Sequence, residues 1–117
     1  MIYELLLVGE EHAMDLAYLE NFTGLPSYLI RDVIRIERVE GKPICSSSKG
    51  YFKPESIEDL KKTIHRLSKA CRFYRKKDNH MKVIEAMRKC LERYKKSGEL
   101  EAHSESRNIT TKGRKNE

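Results

Sequence analysis

The chain has no Trp, only three Phe and six Tyr, and no apolar run longer than Leu5-Leu6-Leu7-Val8. A membrane span needs about 20 consecutive apolar residues, so none is expected. Residues 1 to 30 contain no Lys or Arg, which leaves out the basic opening of a signal peptide. Cysteine is scarce as well. Cys45, Cys71 and Cys90 form no C-x-x-C pair and leave one thiol over in any pairing, a usage that argues against a disulfide scaffold and suits a reducing cytoplasm. His12, His65, His80 and His103 lack metal-ligand spacing, and neither GxxxxGK[ST] nor GxGxxG occurs. No catalytic residue, metal site or cofactor is expected, and the chain does not read as an enzyme.

What the 117 residues do carry is charge, 36% of the chain, with a net of +6. It is unevenly placed. Residues 1 to 30 hold five acidic side chains and no basic one, residues 31 to 60 balance six against six, and residues 61 to 97 set 14 basic side chains against Asp78, Glu85 and Glu92, a net of +11. A run of one sign is either a solvated helical surface or a contact for a polyanion. With 38% apolar residues one core cannot serve the whole length. The expected organisation is a compact domain at 1–54, a basic helical region at 55–97 and a disordered tail at 98–117.

Ile2 to Val8 reads as a short apolar helix ended by Gly9, and Asp15 as the N-cap of a second helix that turns Leu16, Leu19 and Phe22 inward. Thr23-Gly24-Leu25-Pro26-Ser27 is a turn. The next helix, 27–40, places Leu29, Ile30, Val33 and Ile36 on one side and Ser27, Tyr28, Arg31, Arg35 and Arg38 on the other. Pro43 to Ser46 and Gly50 to Lys53 read as a hairpin around Ser47-Ser48-Lys49. Pro54 stops it, and Ser56 with Asp59 forms a capping box. From there Ile57, Leu60, Ile64, Leu67, Cys71 and Tyr74 trace a heptad seam, broken at 76–80 and resumed out of phase from Met81. That pattern fits one helix with a stammer or two helices, and two are favoured.

Three short helices followed by a two-stranded wing, then one or two long basic helices, describe a mainly α winged helix-turn-helix. In such a unit the second helix enters the major groove, about 12 Å wide, and arginine suits both guanine edges and phosphate. The expected DNA-binding set is Ser27, Tyr28, Arg31, Arg35 and Arg38 on the helix, Lys42, Ser47, Ser48, Lys49 and Lys53 around the wing, and Lys76 and Lys77 beyond it.

Leu19-Glu20-Asn21-Phe22-Thr23-Gly24-Leu25, the basic and apolar spacing from Arg31 to Val33, and Gly41-Lys42-Pro43-Ile44-Cys45-Ser46-Ser47-Ser48-Lys49-Gly50-Tyr51-Phe52 together resemble the small winged-helix proteins of bacteriophages and prophages. Their helix-turn-helix is similar to that of the biotin repressor's N-terminal domain. The resemblance covers about residues 2 to 70. It implies a sequence-specific binder of double-stranded DNA, used in transcriptional control or phage replication, in the nucleoid of a bacterial host. Two positions depart from the pattern. Glu20 stands where such motifs carry a small residue, and Pro26 where Ser or another capping residue precedes the recognition helix.

The seam residues Ile57, Leu60, Ile64, Leu67, Cys71 and Tyr74 are the expected dimerisation surface, since two-fold pairing gives half-site recognition. One fact weighs against DNA. Residues 1 to 60 sum to −5, although phosphate neutralisation supplies most non-specific affinity. The alternative is therefore an adaptor or inhibitor that docks a host or phage protein through its acidic half.

Overall fold

In the computed structural model, which describes residues 1–71 and 77–98, four α-helices accompany one two-stranded antiparallel sheet. They are α1 (Leu16–Thr23), α2 (Ser27–Val39), β1 (Cys45–Ser47), β2 (Gly50–Phe52), α3 (Ile57–Cys71) and α4 (Lys77–Ser97). Tyr74, Lys76 and the tail beyond Gly98 lie outside the described residues. The helix expected over Ile2 to Val8 is replaced by a single 3-10 turn, Tyr3–Leu5. The backbone beyond that turn has other partners. Lys53 N–H donates to the Leu7 carbonyl at 2.7 Å, and Gly9 N–H donates to the Lys53 carbonyl at 2.9 Å. Further on, Met14 and Tyr51 exchange two backbone hydrogen bonds, each 2.9 Å long. Residues 7–14 thus cover the outer edge of β2.

The hairpin pairs Cys45 with Phe52, Ser46 with Tyr51 and Ser47 with Gly50. It divides the interior in two. Successive residues of an extended chain point to opposite sides, so Ile44 packs with Ile2, Leu6, Leu19, Ile30 and Ile34, with Tyr51 at the margin. Cys45 and Phe52 instead pack with Leu60, Ile64, Val83, Ile84 and Met87. The boundary expected at 54/55 therefore runs through a shared core, because the second face of the hairpin is covered mainly by α3 and α4, with Ala13 at its margin.

The heptad seam is used inside the chain. Ile57, Leu60 and Ile64 are buried, and Leu67 and Cys71 pack at the edge of the cluster that α4 completes. Between the end of α3 and the start of α4, Cys71 Sγ lies 3.6 Å from Met81 Sδ, and His80 Nε2 lies 2.8 Å from the Leu67 carbonyl oxygen. So α4 doubles back along α3, and the two-helix reading is the one observed. With α4 docked, Ile57, Leu60 and Ile64 of the expected dimer surface are buried within the chain, while Leu67 and Cys71 stay half-buried at its margin. The capping box is also altered. Asp59 Oδ2 accepts from the Glu55 N–H at 2.8 Å, one residue ahead of Ser56.

The phase of α2 differs from the sequence expectation. Its buried residues are Ile30, Ile34, Glu37 and Arg38, while Leu29, Ile36 and Val39 are exposed. Phe22 is exposed too, and stacks on Tyr18 with ring centroids 6.0 Å apart.

Burial has a chemical consequence at Cys45, whose thiol is pushed up from 9.0 to about 12 chiefly by desolvation. A raised native pKa gives stability that is whole below the unfolded value and lost as pH rises through the native one. Urea midpoints are therefore expected to fall between pH 9 and pH 12. Cys45→Ala is expected to flatten that part of the profile, and an equally steep alkaline decline in the variant would refute the assignment.

Candidate nucleic-acid interface

The corner between α1 and α2 is held by side chains on both sides of it. Asp15 Oδ1 accepts from the Tyr18 N–H at 2.8 Å and caps α1. Thr23 Oγ1 donates to the Leu19 carbonyl at 2.7 Å and accepts from the Leu25 N–H at 3.1 Å. Between them Gly24 ends α1 at φ 77°, a left-handed conformation that glycine takes without steric penalty. Pro26 has no side-chain group to cap α2, and Glu20 supplies one from the preceding helix: its Oε2 accepts from the Ser27 N–H at 3.0 Å. The two departures from the helix-turn-helix pattern thus answer each other. A carboxylate at a helix N-terminus contributes about 1 kcal/mol through the hydrogen bond and the helix dipole.

On the outward face of α2, Tyr28, Arg31 and Arg35 are exposed, and Ser27 is half-buried at the corner. Arg35 Nη2 lies 2.7 Å from Asp32 Oδ1, whereas Arg31 has no ion pair among the described residues. Arg38 does not belong to this face. Its side chain is buried, Nε donating to the Ile44 carbonyl at 2.9 Å and Nη2 to Ser46 Oγ at 3.2 Å, with the guanidinium 6.0 Å from the Tyr51 ring centre. It fastens the end of α2 to β1. By phase alone position 38 lies within about 20° of 31, on the outward side; the sequence expectation fails because the segment after α2 folds back beside it and offers the Ile44 carbonyl and Ser46 Oγ as acceptors.

Lys42 is likewise engaged, with Nζ 3.2 Å from Glu4 Oε2 and 3.8 Å from Glu37 Oε2. Glu4 is held down at about 2 by the Met1 ammonium first and Lys42 second, and Glu4 raises Lys42 in return. Beneath them the buried Glu37 carboxylate accepts from the Tyr3 N–H at 2.9 Å and also meets the Met1 ammonium. Lys53, half-buried, lies over the Tyr3 ring at 4.8 Å. These two lysines serve the protein's own carboxylates and aromatic ring. At the tip, Ser47 Oγ accepts from the Lys49 N–H at 3.1 Å, shaping the turn that leaves Ser48 and Lys49 exposed. Lys77 opens α4, and Lys76 is outside the described residues.

The tertiary structure therefore brings Tyr28, Arg31 and Arg35 together on α2 and presents Ser48 and Lys49 at the hairpin tip, while it withdraws Arg38, Lys42 and Lys53. Sequence reasoning assigns backbone contact to the basic helices as a region but does not name the basic side of α4, where Arg88, Lys89, Arg93 and Lys96 line one groove. The net charge of residues 61 to 97 was the signal for it. No group of three or more metal-ligating side chains occurs among the described residues, and none of their helices is long and apolar enough to cross a membrane. No protein-family model, characterised protein or solved structure matches the chain.

Proposed function

We propose that this is a sequence-specific DNA-binding protein of the winged helix-turn-helix type, with α1 and α2 as the helix pair and the β1–β2 hairpin as the wing. One observation carries it. Arg31 and Arg35 stand on the outward face of a helix whose back is locked by Ile30 and Ile34, and whose entry angle is set by the Glu20 cap. Such rigidity is what base reading requires, because a bidentate arginine contact tolerates little displacement. Asp32 holds Arg35 in an exposed pair that a guanine edge could replace at little cost. The resemblance to phage winged-helix proteins supports transcriptional control in a bacterial cytoplasm, and origin binding in replication would use the same chemistry.

Selection from a random duplex library tests this directly. The wild-type chain is expected to enrich one motif, and Arg31→Ala and Arg35→Ala are each expected to relax preference at one position by about 1–3 kcal/mol. No enriched motif, or arginine variants that select the wild-type motif unchanged, would overturn the assignment.

A second reading has its own observation. Leu29, Ile36 and Val39 are exposed on α2, and apolar side chains there suit a protein surface better than a groove lined with polar base edges. An adaptor would retain one stoichiometric protein partner from nuclease-treated host lysate, lose it on Leu29→Ser or Ile36→Ser, and select no DNA motif.

A further inference from the structure

The half of the chain that carries α2 is poorly charged for DNA. Its first 60 residues sum to −5, and Lys42 and Lys53 are committed internally. Duplex DNA presents one negative charge per about 1.7 Å of axis, and neutralising those charges supplies most of the non-specific affinity. The cations must come from elsewhere.

They are available on α4. Val83, Ile84, Met87 and Cys90 turn one side of this helix into the core, and the opposite side exposes Arg88, Lys89, Arg93 and Lys96. These four, with Glu92, line a shallow groove of about 450 Å³. From Arg88 to Lys96 the row runs roughly 12 Å along the helix at the usual rise per residue. Glu92 lies 3.5 Å from Lys95 outside the groove, and Arg88, Lys89 and Lys96 have no ion pair among the described residues. Arg93 fixes where the row sits. Its Nη2 donates to the Gly41 carbonyl at 3.1 Å, at the junction between α2 and β1, and its guanidinium lies over the Tyr94 ring at 5.4 Å. A guanidinium has five donors, so donors remain for a second acceptor.

We infer that this face of α4 is a contact for the phosphate backbone of duplex DNA, gripping the strand beside the groove that α2 enters. It rests on the reading that the chain binds DNA, and it adds the surface that supplies affinity without sequence preference. Charge complementarity selects this occupant: a row of unpaired cations with arginine at both a free and an anchored position suits repeated phosphates better than an isolated anion.

The experiment measures binding of the full chain to a random-sequence duplex by fluorescence anisotropy from about 50 to about 200 mM NaCl. The variant is Arg88→Gln with Lys89→Gln and Lys96→Gln. Its control is Lys62→Gln with Arg66→Gln and Lys69→Gln, which removes the same charge from exposed positions of α3. Each lost phosphate contact lowers the slope of log affinity against log salt by about one, so the α4 variant is expected to lose about three units of slope. Over that salt range the wild type would then lose roughly 40-fold more affinity than the variant. The α3 variant is expected to keep the wild-type slope, as is the charge-preserving set Arg88→Lys, Lys89→Arg and Lys96→Arg. Thermal melts of all three report folding, which exposed substitutions change little.

An unchanged slope in the α4 variant overturns the inference and leaves base reading by Arg31 and Arg35 standing. Equal losses in the α3 and α4 variants also overturn it, since only total charge would then matter, and so does a wild type that does not bind random duplex at the lowest salt. A reduced slope together with no motif from library selection would uphold the α4 contact and remove the recognition role of α2.

Discussion

Gly50→Ala is expected to lower the unfolding free energy by about 3–5 kcal/mol, a large part of the 5–15 kcal/mol typical of a small domain. Two terms act in the same direction. Gly50 sits at φ 130°, where a side chain is strained, and a Cβ there would stand 2.5 Å from the carbonyl carbon and oxygen of Met14 and 2.7 Å from Asp15 N. Those neighbours are backbone and cannot swing aside. Met14 is held by its paired hydrogen bonds to Tyr51, and Asp15 caps α1. The strain would pass into the start of the helix pair as well as into the hairpin. Urea midpoints at constant m-value measure the loss, with Ser48→Ala, at the exposed turn, expected within about 0.5 kcal/mol of wild type. A Gly50→Ala midpoint close to wild type would mean that residues 7–14 do not lie against β2 as described.

Arg38→Ala is expected to cost about 3 kcal/mol of stability while leaving the salt slope of DNA binding unchanged. Truncation removes two donors at once. The Ile44 carbonyl and Ser46 Oγ lose their bonds to the guanidinium, and the space under Tyr51 is emptied. An unmade hydrogen bond in a buried place costs more than a made one contributes, because the remaining acceptor has already given up water. Arg38→Lys is expected to recover little, since one ammonium cannot span both acceptors with the fixed fork of a guanidinium. The two readouts separate a fastening role from a DNA-contact role. If the variant kept its midpoint and lost one unit of salt slope, Arg38 would belong to the interface after all.

Much of the local structure was legible because its causes are local. Asp15 stands at the start of a helix, Gly24 at a corner that needs a left-handed residue, and the Ile, Tyr and Phe around a small polar turn make a hairpin whichever protein they are in. That α3 and α4 are separate helices was visible as a phase shift, since a helix cannot keep one apolar stripe across it, although the pattern puts the break at 76–80, where α4 already runs from Lys77. The site was less legible, and α2 explains why. Between Ser27 and Val39 six large aliphatic side chains, Leu29, Ile30, Val33, Ile34, Ile36 and Val39, spread over more than half of the helix circumference, wider than one buried stripe, so the inner face could be centred at more than one place. Hydrophobicity favours Ile36 over Glu37 and Arg38 for the interior. The opposite outcome depends on partners far away in sequence: the Met1 ammonium and the Tyr3 N–H for Glu37, and the Ile44 carbonyl and Ser46 for Arg38. A charged group can be buried only where such partners meet it, and periodicity does not register them.

By itself, then, the sequence determined α1, α2, the hairpin and the two basic helices in their order, the three-residue connection at the corner of the helix pair, and the concentration of positive charge after residue 60. Those properties follow from backbone preferences and composition, which act over a few residues at a time. The tertiary structure alone decided which arginines face outward and what becomes of the heptad seam. It also decided that the hairpin is a wall between two clusters, with only its tip free. Each of these turns on which buried polar groups find partners and which apolar faces meet. Glu37 and Arg38 took the inward side of α2, and Arg31 and Arg35 were left on the outside.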